Sequence, residues 1–157
     1  MPDAKELLYS NLHEVFSEQD PERRRAAIER TYVEDVTFID PEGEVIGRQA
    51  LSDRAQKLLD AAPADFALEE DGPRYVGPDT AALAWRLGPP GSPVARGIDI
   101  LTIRDGRVSI LRTLIDYRPS QLAAVPVDGS RACSARPAAP IAAASSHDGP
   151  GPRPGTV

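Results

Sequence analysis

Over the first stretch of the chain, Leu7, Leu8, Asn11, Leu12, Val15 and Phe16 recur at helical spacing, with Lys5, Glu6, Glu14 and Glu18 mostly outside their stripe. That period predicts an amphipathic helix. Asp20-Pro21 reads as an N-cap followed by proline at the first helical position, opening a second helix through roughly Tyr32. The pattern then changes to strand: Val36 to Ile39, a turn over Pro41-Glu42-Gly43, and a short return strand from Glu44 to Ile46. A third helix is predicted from Arg48 to about Ala62, burying Leu51, Ala55, Leu58, Leu59 and Ala62, and Pro63 stops it. Five strands follow: Phe66–Glu70, Arg74–Val76, Thr80–Leu87, Val94–Arg104 and Arg107–Tyr117. Asp105-Gly106 is a strong hairpin signal between the last two, and the PPGSP link (Pro89 to Pro93) makes another connection. Early helices and late antiparallel strands imply an α+β domain whose helices pack on one face of a curved sheet. A sheet curled around helices leaves a cone-shaped interior suited to a small apolar ligand.

The periodic pattern ends near residue 118. From Pro119 onward the chain is mostly Ala, Pro, Ser and Gly, too poor in large apolar side chains to offset the entropy of ordering it. We therefore expect one domain over residues 1–118 and a disordered tail over 119–157. The formal charge of −6 divides into +1 on the tail and −7 on the domain. An acidic domain without a Lys/Arg cluster fits neither nucleic acid nor an anionic membrane. The basic run Arg23-Arg24-Arg25 falls on a predicted helix and reads as a solvated face. Cys133, the one cysteine, lies in the tail, so neither an intramolecular disulfide nor a thiolate metal site is expected. There is no signal-peptide core and no apolar run near the length of a membrane span, so the expected location is cytoplasmic. No grouping of His, Cys and carboxylates has metal-ligand spacing, and no phosphate loop or G-x-S-x-G motif occurs; we expect neither metal nor cofactor.

The element order and two segments resemble a known superfamily. One is YVEDVTFIDPEGEVIGRQAL, Tyr32 to Leu51, where an acidic pair and a strand ending Asp-Pro-x-Gly lead into the third helix. The other is GIDILTIRDGRVSILRTLIDY, Gly97 to Tyr117. Over roughly residues 5–118 the chain looks like the nuclear transport factor 2-like α+β cone. That superfamily includes SnoaL-like polyketide cyclases, ketosteroid isomerase and limonene epoxide hydrolase. The resemblance implies a cone-shaped, mostly antiparallel sheet wrapped around N-terminal helices, hosting many activities on one scaffold. In ketosteroid isomerase the general base is an aspartate in an Asp-Pro-x-Gly context, and Asp40 matches it. The isomerase's protonated oxyanion-hole aspartate corresponds to Asp99 in GIDIL. Its helix-one tyrosine has no counterpart, because Leu8, Leu12 and Phe16 take the inward positions and Tyr9 lies on a flank.

Each candidate also has a structural reading. Asp40 is either a turn former before Pro41 or a general base at the cone mouth. Asp99 shares a strand face with Gly97, Leu101 and Ile103. It is either a desolvated acid that holds its proton and donates a hydrogen bond, or the partner of Arg86, Arg96 or Arg112. Phe16, Tyr32, Phe38, Trp85, Leu101 and Tyr117 are candidate substrate-binding residues, with core packing as their alternative; Tyr75 and Tyr117 are possible hydroxyl donors. His13 falls off the main stripe and reads as a surface or dimer-edge residue. The implied function is an isomerase or aldol-type cyclase acting on a small apolar carbonyl compound, or a non-catalytic ligand-binding or assembly module. The strand after Asp105-Gly106 has apolar residues on both faces, so a second cover is needed, and a homodimer through the outer sheet face supplies it.

Overall fold

The structure, a computed structural model, describes residues 2–116. Tyr117 and the predicted tail, with Cys133 and His147, lie outside the described residues.

The first helix begins where the sequence provides a capping box. Asp3 accepts from the Glu6 amide (2.9 Å), and the Glu6 carboxylate accepts from the Asp3 amide (2.8 Å). Helix α1 (Ala4–Tyr9) does not run on as α-helix, however. Ser10–Val15 form a π-helical turn in which the Phe16 amide bonds the Asn11 carbonyl, five residues back, at 3.2 Å. The wider turn buries Ser10, Asn11 and Leu12 in succession. No regular amphipathic pattern anticipates three such neighbours, and both polar members find partners. Ser10 shares a 2.6 Å hydrogen bond with Thr31, and Asn11 bonds Tyr32 and Asp99.

Helix α2 (Pro21–Thr31) has the predicted start, with Asp20 accepting from the Glu22 and Arg23 amides. The basic run within it is not uniformly solvated. Arg23 and Arg25 are exposed, but Arg24 is 2% exposed and donates to the Glu18 carbonyl and the Gln56 side chain, tying α2 to α3 (Arg48–Ala61). Tyr32 opens β1 (Tyr32–Asp40), and β2 (Gly43–Ile46) pairs back on it.

The two predicted strands around residue 70 are one, β3 (Ala67–Val76), whose register shifts between Glu70 and Arg74. β4 (Thr80–Gly88), β5 (Ala95–Arg104) and β6 (Arg107–Ile115) complete a six-stranded sheet in the order β2-β1-β6-β5-β4-β3. Among the described residues only the β1–β6 pair is parallel. Asp105 and Gly106, at φ 54° and 73°, make the tight β5–β6 turn that the Asp-Gly pair predicts. An extra residue at Ser109 on β6 shifts the register so that Val108 and Leu111 both face inward. This corrects the simple alternation, which sets Val108 with Ile110 and Leu114. Such bulges bend a strand and increase its twist. The curved sheet packs its inner face (Phe38, Leu83, Trp85, Leu101, Leu111) on Leu7, Leu8, Leu12 and Leu51 of the helices. This is the expected α+β cone. Among the described residues no helix is long and apolar enough to cross a membrane.

Candidate functional site

Between the inner face of the sheet, the π turn and the C-terminal end of α3 lies a cavity of about 780 Å³. Its wall is mainly apolar, with Leu12, Phe16, Phe38, Leu58, Phe66 and Trp85 among the residues that form it. The polar exceptions are few: His13, Ser17, Gln19, Asp40, Asp99 and Thr113. A greasy hollow with a handful of convergent polar groups is the usual form of a small-molecule site.

Both sequence-matched aspartates reach this wall, in different electrostatic states. Asp99, on β5, is buried and, among the described residues, holds three hydrogen bonds, all from neutral donors. Trp85 Nε1 (3.0 Å) and Thr113 Oγ1 (2.7 Å) donate to Oδ1, and Asn11 Nδ2 (2.8 Å) donates to Oδ2. The arginines considered as its partners are elsewhere: Arg86 bonds Glu69 and Arg96 bonds Asp71, while Arg112 is exposed. Burial therefore pushes the Asp99 carboxyl up from its ordinary pKa, and the bonds from Thr113, Trp85 and Asn11 only partly oppose the shift. Oδ1 already has two donors, whereas Oδ2 has one. A proton or a ligand hydrogen bond is most readily accommodated on Oδ2.

Asp40 has a different environment. Arg54, on α3, donates from Nη1 to both carboxylate oxygens at 2.6 Å, and the Glu42 amide donates to Oδ1 at 2.9 Å. The pair is sheltered, with side-chain exposures of 9% for Asp40 and 14% for Arg54. The bonds to Asp40 raise the Arg54 pKa further, so the guanidinium stays charged. Asp40 thus lines the cavity as half of an ion pair, and also makes the turn contact expected of an Asp before Pro41.

Of the other candidates, Phe16, Phe38 and Trp85 form part of the wall. Tyr32 and Leu101 do not; both are wholly buried in the core, which corrects their assignment to the substrate surface. The Tyr32 hydroxyl is nevertheless tied to the site, donating to Asn11 Oδ1 at 2.5 Å in a relay that ends on Asp99. Tyr75 is exposed, away from the cavity. His13 is part of the cavity wall while its side chain is still 31% exposed, with Nε2 3.1 Å from Glu70 Oε1 and its ring against Tyr9. Sequence reasoning gave no role to Asn11, Arg54 or Thr113. For Asn11 a signal existed, since an amide within a Leu-rich helical stripe must find a buried partner.

The SnoaL-like domain family matches residues 10–110. No curated protein matches the chain. Among solved structures, a candidate isomerase of the SnoaL-like family from Agrobacterium tumefaciens superposes with a TM-score of 0.65 at 23% identity, covering 71% of this chain and 95% of its own. A candidate SnoaL-like polyketide cyclase from a Jannaschia species gives 0.58 at 16%, covering 74% and 89%. A candidate ketosteroid isomerase from Kribbella flavida gives 0.55 at 20%, covering 72% and 78%. At these identities the superpositions speak for the fold alone. The family match is carried by the sequence itself, over well more than half its length, and by it the chain belongs to the SnoaL-like family.

Proposed function

We propose that the cavity binds a small, mostly apolar carbonyl compound and promotes its enolisation, as an isomerase or cyclase would, with Asp99 as the group that meets the carbonyl oxygen. The observation that carries this reading is a buried carboxyl in an apolar wall, held, among the described residues, by three neutral donors and no cation. Such a group keeps a proton to higher pH than an exposed aspartate does. It can therefore hydrogen-bond a carbonyl oxygen as negative charge develops there, in surroundings that strengthen the interaction. The chemistry requires only side chains. The SnoaL-like membership is consistent with it without selecting a substrate.

The test is α-proton exchange of 2-tetralone in deuterated buffer, followed by NMR. This bicyclic ketone is small enough for the cavity and has acidic α-hydrogens. The wild-type chain is expected to accelerate exchange over buffer. Asp99→Leu should lower the rate about a hundredfold, the usual cost of losing one such donor. Asp99→Asn, which keeps a weaker donor, should fall between them. An Asp99→Leu protein that exchanges as fast as wild type overturns the assignment.

The Asp40–Arg54 pair favours a second reading, a ligand-holding module, because it occupies both oxygens of the carboxylate at the general-base position. That reading predicts binding of 2-naphthol, seen by its fluorescence, with no exchange of 2-tetralone by any form of the protein. In either reading we propose a homodimer through the outer face of the sheet.

A further inference from the structure

With Asp40 held by Arg54, the proposed enolisation lacks a base, and a different cluster provides one. β3 is irregular where the cluster forms. Arg74 Nη2 is 2.5 Å and Arg74 Nε 3.2 Å from the two oxygens of Glu70. The register of β3 shifts between these two residues, and such bulges redirect side chains near sites. Arg74 also lies over the Tyr9 ring, 5.7 Å from its centroid, and Tyr9 packs on His13 at 4.6 Å.

The Arg74 bonds hold Glu70 below the usual carboxylate range, so it is a pure acceptor. His13 Nε2, 3.1 Å from that carboxylate, must then carry the ring proton when His13 is neutral, which leaves the lone pair on Nδ1. This is the base-and-orienter arrangement of many proton-transfer sites, built here on a histidine in the cavity wall.

We propose that His13 is the general base of this cavity, with Glu70 and Arg74 as its positioning residues. The proposal rests on the enolisation reading above. In the step, the C–H bond next to the carbonyl breaks and its proton passes to His13 Nδ1. The electron pair becomes the carbon–carbon double bond, and the carbonyl π pair moves to oxygen, which takes a hydrogen bond from Asp99. Return of the proton from Nδ1 to the same carbon gives exchange, and to a conjugated one gives isomerisation. The substrate class is thereby narrowed to carbonyl compounds with a removable α-hydrogen.

Two measurements on the full chain decide it. In the first, the wild-type exchange rate of 2-tetralone is followed against pH and should show the acid limb that a general base gives; the charged or titratable groups around His13, among the described residues, are Tyr9, Glu14, Glu70 and Arg74. His13→Gln should lose that limb and about a hundredfold in rate, while Glu70→Gln should keep the limb and lose about tenfold. The second follows the ¹⁵N resonances of the His13 ring during a 2-naphthol titration, in wild type and in Asp99→Leu. The Nδ1 resonance is expected to shift in both, the Nε2 resonance little. Failure of the Asp99 role shows as full exchange in Asp99→Leu with His13→Gln still slow. Failure of the present proposal shows as full exchange in His13→Gln, as a wild type that does not exchange, or as a His13 ring unchanged when naphthol is bound.

Discussion

The protonation of Asp99 is coupled to the stability of the whole fold, and the coupling has a definite sign. An unfolded aspartate titrates near about 3.9; in the folded chain burial raises that value. Folding therefore favours the protonated form. The stability this gives is fully present below the unfolded pKa and is lost as pH rises through the folded one. Glu14 and Glu70 are shifted the opposite way, despite their desolvation, by hydrogen bonds from Ser10 and Arg30 and from Arg74 and His13, so their contribution is lost as pH falls. These opposing slopes are common to wild type and Asp99→Asn and cancel in the difference between them. Urea midpoints of the two proteins, compared from about pH 4 upward, should show wild type losing ground to Asp99→Asn as pH rises above the unfolded aspartate's value, until the folded carboxyl has ionised. A difference that stays flat or runs the other way removes Asp99 as a buried titrating group. The strand-ending place of Asp40 was legible in Asp-Pro, and the strand face that Asp99 shares with Gly97 and Leu101 in the alternation, but not which of the two apolar faces turns inward. The electrostatic states of the two aspartates were not legible either. Asn11 reaches Asp99 across 88 residues of sequence, and Arg54 reaches Asp40 from another helix, so only the folded chain brings them together.

Strand β5 must leave room for the indole that holds Asp99, and Gly97 provides it. Gly97 pairs across the sheet with Trp85, whose ring lies where a side chain on Gly97 would begin. A Cβ there would come within 2.7 Å of Trp85 Cε2 and 2.5 Å of the Leu114 carbonyl. The first is a rigid ring and the second is backbone, so neither yields cheaply. Gly97→Ala should destabilise the fold by about 1–3 kcal/mol, the usual cost of overpacking. It should also push Trp85 Nε1 off Asp99 and slow 2-tetralone exchange. Chemical denaturation and an indole N–H resonance that moves toward its solvent-exposed value would record the two effects; an Ala variant with wild-type stability and indole shift would show that the ring is free to move. At this scale, elements with strong local signals were legible: the Asp20-Pro21 cap, the Asp-Gly hairpin and the proline that ends α3. The departures were the π turn at Ser10–Val15, the continuity of β3 through Asp71-Gly72-Pro73, and the bulge at Ser109. Each depends on what a neighbouring element offers as a partner, and periodicity does not contain that information.

For the molecule as a whole, the sheet has two apolar faces and the helices cover one. Ile98 and Leu114, neighbours on β5 and β6, are 42% and 47% exposed, with Ile100 and Ile110 half-buried beside them. Isolated apolar residues on a surface need no explanation, but a group of them on one sheet face does. The ion pairs Arg86–Glu69 and Arg96–Asp71 lie to the β3–β4 side of this group. The exposed Arg112, paired with Ile100 between Ile110 and Leu114, interrupts the group, so the surface combines apolar side chains with an arginine, a residue type enriched in protein interfaces. A two-fold contact places the same patch on both partners, so one apolar group can satisfy itself. Light scattering after size exclusion should give about twice the chain mass of 16.9 kDa. Ile98→Glu combined with Leu114→Glu should give the single mass, because each new charge would be buried twice in the two-fold contact. Asp99 and His13 lie on the inner side of the sheet, so the dissociated variant should still bind 2-naphthol. A wild-type chain that elutes as a clean monomer would show that this face is stable in water by itself, and the homodimer would have to be abandoned.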